Sequence, residues 1–345
     1  MHLITLTRNA IIKESSNSSG KVAMLTSRQM FFYGLFFSSI TVLFWGMLPI
    51  ALKLSGDFSD PITLTWLRFS VAGIILGLWQ WQKGKLGEFK SLSAKDWGRL
   101  LAAGSFLIIN YTSFAWSLSY ILPGSAQLSF QSAPLFLALG GLFFLKEKAS
   151  WLQWLCFVGI GLGMITFFHP VLGESEQTNL LTGFIIVQIS ASAWSCYALL
   201  QKSLFLKLSP SNILLAIYLY ATLVMMPFSS PTKLTSLNLE DTLLAAFCCL
   251  NTLIAYGAFA QAMRYWKTVQ VSASVALTPV MSYILTEIIV SVGWWQESIQ
   301  SSHADLLSLF GMLLVIVCAI NVQMISAKGQ LNSKPKGLFW RKIKS

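Results

Sequence analysis

Solid apolar runs of about twenty residues recur along the chain from Phe31 to Ile325, and the short segments between them hold most of the charge. The runs are 31–52, 61–82, 100–119, 124–145, 151–171, 180–201, 211–229, 242–263, 270–292 and 306–325, each 19–23 residues long. At about 1.5 Å of rise per residue, a helix of this length spans a hydrocarbon core of about 30 Å. A membrane barrel would instead carry short segments alternating with a period of two. In lipid every backbone N–H and C=O must be paired internally, so each run is expected to be a helix. The pattern therefore predicts an all-α integral membrane protein with ten transmembrane helices.

Composition narrows the class. Hydrophobic residues make up 55% of the 345 and charged residues only 11%, far below the roughly 25% of a soluble domain. That excludes a disordered chain, a fibrous protein and an ordinary soluble enzyme. The net charge of +11 is a matter of placement. With both termini on the cytoplasmic side, 21 of the 24 Lys and Arg fall in cytoplasmic segments, leaving Lys53, Arg68 and Lys233. Asp57, Asp60, Glu174, Glu176, Glu240, Asp241, Glu297 and Asp305 fall on the opposite side. This is the positive-inside distribution, so no nucleic-acid partner is needed to explain the basic excess. Residues 1–30 read as a disordered cytoplasmic tail, with Met24 a second candidate start, and residues 327–345 as a basic cytoplasmic tail. The five cysteines all sit inside apolar runs and read as small buried hydrophobes.

The chain repeats itself. Trp45, Lys53 and Pro61 match Trp194, Lys202 and Pro210 at a constant offset of 149. Phe114-Ala115, Tyr120 and Pro134 match Phe259-Ala260, Tyr265 and Pro279 at an offset of 145. A repeat of five spans is odd, so the second copy enters the membrane from the opposite side. The expected architecture is two inverted-topology five-helix repeats, residues 31–172 and 178–326. This is a plan of secondary transporters, with substrate held near the midplane between the halves.

Phe44-Trp45-Gly46 followed by Leu67-Arg68-Phe69 resembles the opening of the EamA-like branch of the drug/metabolite transporter superfamily. Ser132-Ala133-Pro134-Leu135-Phe136 with Leu145-Lys146-Glu147-Lys148 is similar to its fourth-helix pattern, and Leu277-Thr278-Pro279-Val280 stands at the matching place in the second copy. The resemblance covers roughly residues 31–326. Lys146-Glu147 replaces the usual Gly-Glu, the second acid is displaced to Glu297, and Glu287 is an additional acid. The resemblance implies transport of amino acids, nucleosides or other small metabolites.

Candidate site residues follow from polar groups inside the spans. Arg68 lies roughly 10 Å and Glu287 about 8 Å from the outer surface at the helical rise, equal in depth and opposite in sign. Arg68 either snorkels to the headgroups or faces a cavity, and Glu287 either braces a neighbouring helix or faces the same cavity, with Arg68 as its partner. Trp45 shares a face with Ser38, Thr41 and Pro49, and Trp194 with Tyr197 and Gln201. Gln127, Gln131 and Pro134 line one face of the fourth span, and Pro279, Tyr283 and Glu287 one face of the ninth. Asn110 and Tyr111 sit within the third span, Asn251 and Tyr256 within the eighth. Spans 1, 3, 4, 6, 8 and 9 are thus expected to build the cavity. Pro134 and Pro279, each lacking a backbone donor, suit a bend or a binding face.

Enzyme signals are missing. The three histidines, His2, His169 and His303, are scattered, and the sequence has no metal-protease helix, nucleophile elbow or P-loop. The expectation is a secondary transporter in the plasma (bacterial inner) membrane that moves a small polar metabolite, an amino acid or relative, with efflux as the favoured direction. No cofactor or metal is called for, the partners are a small molecule and the bilayer, and a homo-oligomer is compatible with the sequence. The rival is a structural or enzymatic membrane protein of the same topology.

Overall fold

A computed structural model describes residues 27–133, 136, 150–170, 177–204, 207–265, 271, 274–301 and 304–332. Among them every regular element is helical. The α-helices are α1 Ser27–Leu54, α2 Pro61–Gln82, α3 Ala94–Ser117, α4 Pro123–Ser129, α5 Trp151–Phe168, α6 Gln177–Leu204, α7 Pro210–Met225, α8 Leu239–Tyr265, α9 Thr278–Val292 and α10 Leu306–Asn332. Seven spans among the described residues are long and apolar enough to cross a membrane, and α9 and part of α10 form shorter apolar helices. The chain is a multi-pass membrane protein. Half of the predicted fourth span, including Pro134, lies outside the described residues. α1, α8 and α10 run past the predicted ends, because apolarity marks only the part of a helix that lipid surrounds.

Local sequence sets several helix starts. Asp60 caps α2, its carboxylate accepting from the amides of Ile62 at 3.1 Å and Thr63 at 2.9 Å, with Pro61 supplying a preset first turn. Ser93 with Asp96 and Ser150 with Gln153 form capping boxes at α3 and α5. α9 ends at Gly293, whose positive φ of 79° lets Gly293 and Trp294 turn their amides back to Val290 and Ile289.

Packing repeats with the chain. α1 packs on α8 and α9, and α6 on α3 and α4. α2 packs on α7, α4 on α9 and α5 on α10, while α3 touches α7 as α8 touches α2. Exchanging the first five helices for the second five leaves this description unchanged. α5 and α10 come close enough that a Cβ built on Gly163 would lie 2.7 Å from the Gly311 carbonyl oxygen, so only glycine fits there.

The two proline-bearing elements break at matching places. α4 stops at Ser129 and passes into a tight helical turn, Phe130–Ser132, just before Pro134. In the ninth element a turn at Ala276–Leu277 precedes α9, and Pro279 stands at its beginning. The predicted span 270–292 with Pro279 as an interior kink is thereby corrected: proline is tolerated in the first turn of a helix, where its missing N–H would have had no partner.

Two buried clusters flank the centre. One joins α2, α3, α6 and α7 around Phe69, Leu107, Tyr111, Tyr197, Ile217 and Tyr218. The other joins α4, α5, α9 and α10 around Leu128, Phe157, Ile160, Met312 and Val315.

Candidate functional site

Arg68 projects from α2 into the middle of the bundle and is only 2% exposed. Its Nε donates to the Cys248 carbonyl at 3.3 Å and to Thr252 Oγ1 at 3.2 Å, both on α8. Its guanidinium carbon lies 4.6 Å from the centre of the Tyr111 ring on α3, a cation–π contact. Tyr111 in turn stacks toward Tyr256 at 6.5 Å, and Trp45 meets Tyr256 edge-on at 5.5 Å. Phe69 bridges Tyr111 at 4.7 Å and Tyr218 of α7 at 5.4 Å. Tyr197 of α6 is buried in the same cluster, and Trp194 packs against it while meeting Phe130 edge-on at 6.1 Å. The Tyr218 hydroxyl is buried without a hydrogen-bond partner among the described residues, and the Tyr111 hydroxyl lies toward that of Tyr256.

Glutamines and asparagines split by role. Gln127 donates its amide to the Trp45 carbonyl at 2.9 Å, joining α4 to α1. Asn110 donates to the Ser190 hydroxyl at 2.8 Å and accepts a bond from it through its own carbonyl at 2.9 Å. Asn251 donates to the Phe44 carbonyl at 2.6 Å. These three join helices. Gln131 is buried in the turn where α4 breaks, and the Asn251 side-chain oxygen is buried without a hydrogen-bond partner among the described residues. Around the break the backbone is served from α6, with Gln188 donating to the Ser129 carbonyl at 3.3 Å and Ser195 to the Ala133 carbonyl at 3.1 Å.

Two expectations change. Arg68 does not pair with Glu287: no carboxylate of the described residues lies within 4.0 Å of it, and Glu287 on α9 accepts the Ser301 hydroxyl at 2.9 Å and 3.1 Å instead. Equal depth left the distance between the two helices undetermined, and α2 packs on α7 and α8. Tyr283 faces the α4 contact, its Cα 3.6 Å from where a Cβ on Gly124 would stand, and Pro279 is buried at the start of α9. The cluster therefore draws on α2 and α7, which the polar stripes had left out. Tyr218, the residue missed, stands in the seventh span two residues before Tyr220 and four before Thr222, a span that the polar stripes did not include.

Above the cluster a cavity of about 810 Å³ opens where the loops after α1, α3, α7 and α9 meet. Lys53, Asp57, Asp60, Lys233 and Glu297 line it together with Leu52, Leu64, Ala115 and Leu118. Leu64 and Ala115 stand four residues, about 6 Å, outward from Arg68 and Tyr111 on the same helix faces. A single apolar layer thus separates the cavity from the buried arginine. At the rim, burial works to raise the Asp60 pKa, but the Thr63 amide and hydroxyl and the Lys233 ammonium outweigh it and hold the carboxyl below its ordinary range.

The opposite end is closed by polar contacts between the halves. Gln80 donates to Asn212 at 2.9 Å, and Asn212 donates to Glu88 at 2.7 Å, as does the Ser209 amide. Lys207 pairs with Asp96.

Sequence comparison now meets this geometry. The model of the EamA-like transporter family matches twice, over residues 32–168 and again over 181–320. The chain belongs to the EamA-like transporter family. This EamA-like protein is 30% identical over 290 residues to the inner membrane transporter YhbE of Escherichia coli (strain K12), covering 83% of this chain and 90% of that one. It is 31% identical over 259 residues to a transporter of Haemophilus influenzae, covering 74% and 83%. A riboflavin transporter of Vibrio cholerae matches 42% of the chain at 26% identity, over 46% of its own length. A solved crystal structure shares the fold at a TM-score of 0.56 and 17% identity, covering 86% of this chain and 98% of that one. The membrane-transporter class follows from the family and these relatives.

Proposed function

We propose that this EamA-like protein is a secondary transporter that exports a small polar metabolite, an amino acid or a related compound, across the bacterial inner membrane by alternating access. The observation that carries this reading is the buried Arg68–tyrosine cluster lying one helical turn beneath an open polar cavity. A charged group costs at least about 2.5–3.5 kcal/mol at mid-bilayer and is retained where a pathway or partner uses it. The apolar layer of Leu52, Leu64, Ala115 and Leu118 is the outer gate, and the Asp96–Lys207 and Glu88–Asn212 contacts are the inner one. The exchangeable packing of helices one to five with six to ten, the breaks at Phe130–Ser132 and Ala276–Leu277 and the double family match support ten crossings in two inverted repeats. The distribution of basic residues supports cytoplasmic termini.

Flux into proteoliposomes across a panel of amino acids, nucleosides, sugar phosphates and riboflavin tests the proposal. Saturable, substrate-specific counterflow is expected for at least one compound. A chain that reconstitutes folded and moves none of them would not be a metabolite transporter of this kind. For orientation, a C-terminal reporter should be active only in the cytoplasm.

A further inference from the structure

We propose that Arg68 is the anchor for one carboxylate of the transported molecule, so that the substrate is a small carboxylate carrying a single negative charge where it meets this site. This rests on reading the Arg68–tyrosine cluster as the transport site. The guanidinium stays charged at any pH the protein meets. Its neighbours within hydrogen-bond reach are neutral, a carbonyl and a hydroxyl, and both are taken up by Nε. Nη1 and Nη2 have no hydrogen-bond partner among the described residues, and no described carboxylate lies within 4.0 Å. The Tyr111 ring face offsets part of the charge without using a donor. The two Nη groups of Arg68 therefore suit an acceptor that is also an anion.

The shape and charge of the donors narrow the class. The two Nη groups form a planar fork that matches the two oxygens of a carboxylate. The buried, unpaired hydroxyl of Tyr218 belongs to the same cluster and is a further donor. One guanidinium balances one negative charge; a phosphate dianion would leave a net charge in a low-dielectric site, and a cationic group would be repelled. Trp45 and Tyr256 continue the aromatic wall away from the arginine, a surface for the remainder of the molecule. Nε, held on α8, fixes the fork in place before the ligand arrives, which favours binding by preorganisation.

The test compares matched pairs on the purified full chain: benzoate and benzamide, L-leucine and L-leucinamide, L-phenylalanine and L-phenylalaninamide, with inorganic phosphate alongside. Melting temperature and tryptophan fluorescence are the binding readouts, and proteoliposome counterflow is the transport readout. At least one acid should bind saturably while its amide and phosphate do not. Tyr218→Phe should weaken that acid by about tenfold, the loss of one hydrogen bond to a charged group. Arg68→Lys should retain part of the binding and Arg68→Gln none. If Arg68→Gln fails to fold, the wild-type pairs and Tyr218→Phe still decide. Saturable transport of a neutral or cationic compound that is unchanged in Arg68→Lys, with no pair separating, would overturn the carboxylate anchor and leave the transport reading standing. No transport of any compound would remove both.

Discussion

The Arg68 guanidinium lies over the Tyr111 ring, its central carbon 4.6 Å from the ring centre, and so ties α2 to α3 at the heart of the bundle. The contact separates two roles of one tyrosine. Its ring supports the cation, worth about 0.5–2 kcal/mol depending on desolvation. Its hydroxyl lies toward that of Tyr256. Tyr111→Phe keeps the first and removes the second, so the protein should lose at most one neutral hydrogen bond, about 0.5–1.5 kcal/mol. Tyr111→Leu should lower the melting temperature by losing the ring face. Thermal unfolding of both variants in detergent checks this, and equal destabilisation by Phe and Leu would count against the cation–π contact.

Arg68 and Glu287 occupy separate surroundings, one held by α8 and the other by Ser301. Their substitutions should therefore act independently. In a double-mutant cycle of Arg68→Gln and Glu287→Gln, the stability changes should add within about 0.3–0.5 kcal/mol, as they do for distant sites. A recovery of stability in the double variant beyond that margin would restore the ion pair expected from depth alone.

Depth was legible in the sequence because it follows from counting residues along a span, and so were the helices, because lipid permits few alternatives. Adjacency was not. Arg68 and Glu287 share a depth, yet which helix stands beside α2 depends on packing that hydropathy does not encode. The stripes of Trp45 and Gln131 were found by spacing, since polar residues recurring at three and four positions share a face, and Tyr256 by its place within the eighth span. Asn110 was also found, but the geometry gives its amide to Ser190. A polar residue that glues helices and one that meets a ligand have the same sequence signature, and only the partner distinguishes them. Pro279 was placed in the correct span with the wrong consequence, because a proline that kinks a helix and one that begins it differ only in what precedes them.

At the α5–α10 contact, the Gly163 and Gly311 backbones are in touch, and a Cβ on Gly311 would lie 2.6 Å from the Gly163 carbonyl oxygen. Gly163→Leu should force these helices apart and cost about 1–3 kcal/mol, the usual effect of overfilling a packed interface. Nothing in the Arg68 cluster touches this contact, so binding by the surviving folded fraction should be unchanged. A melting curve with a ligand titration measures both effects. Full stability of Gly163→Leu would mean that the two helices pack less closely than described.

Asp96 joins the halves at the end of the bundle opposite the cavity, where Lys207 and the hydroxyl and amide of Ser93 hold its carboxyl well below the ordinary carboxylate range. Glu88 behaves similarly. Burial works to raise its pKa, but the Ser209 amide and the Asn212 side chain outweigh that and lower it. A depressed folded-state pKa contributes stability that is fully present above the unfolded value, about 4 for a carboxylate, and is lost as pH falls through the folded one. These contacts should therefore hold unchanged from pH 8 to about 5 and weaken only in stronger acid. Asp96→Asn removes the charge that pairs with Lys207 at every pH. It should lower the melting temperature near neutrality and shrink the loss that wild type suffers below about pH 4. If this pair closes the inner gate, the same variant should also let a thiol reagent applied from the cytoplasmic side reach a cysteine placed at Asn212, which is fully buried when the gate is shut. Melting curves from pH 8 to 3, with labelling in a background lacking the native cysteines, separate the outcomes. Lost stability without new labelling would leave Asp96 as a brace between helices, and new labelling would make it part of the gate.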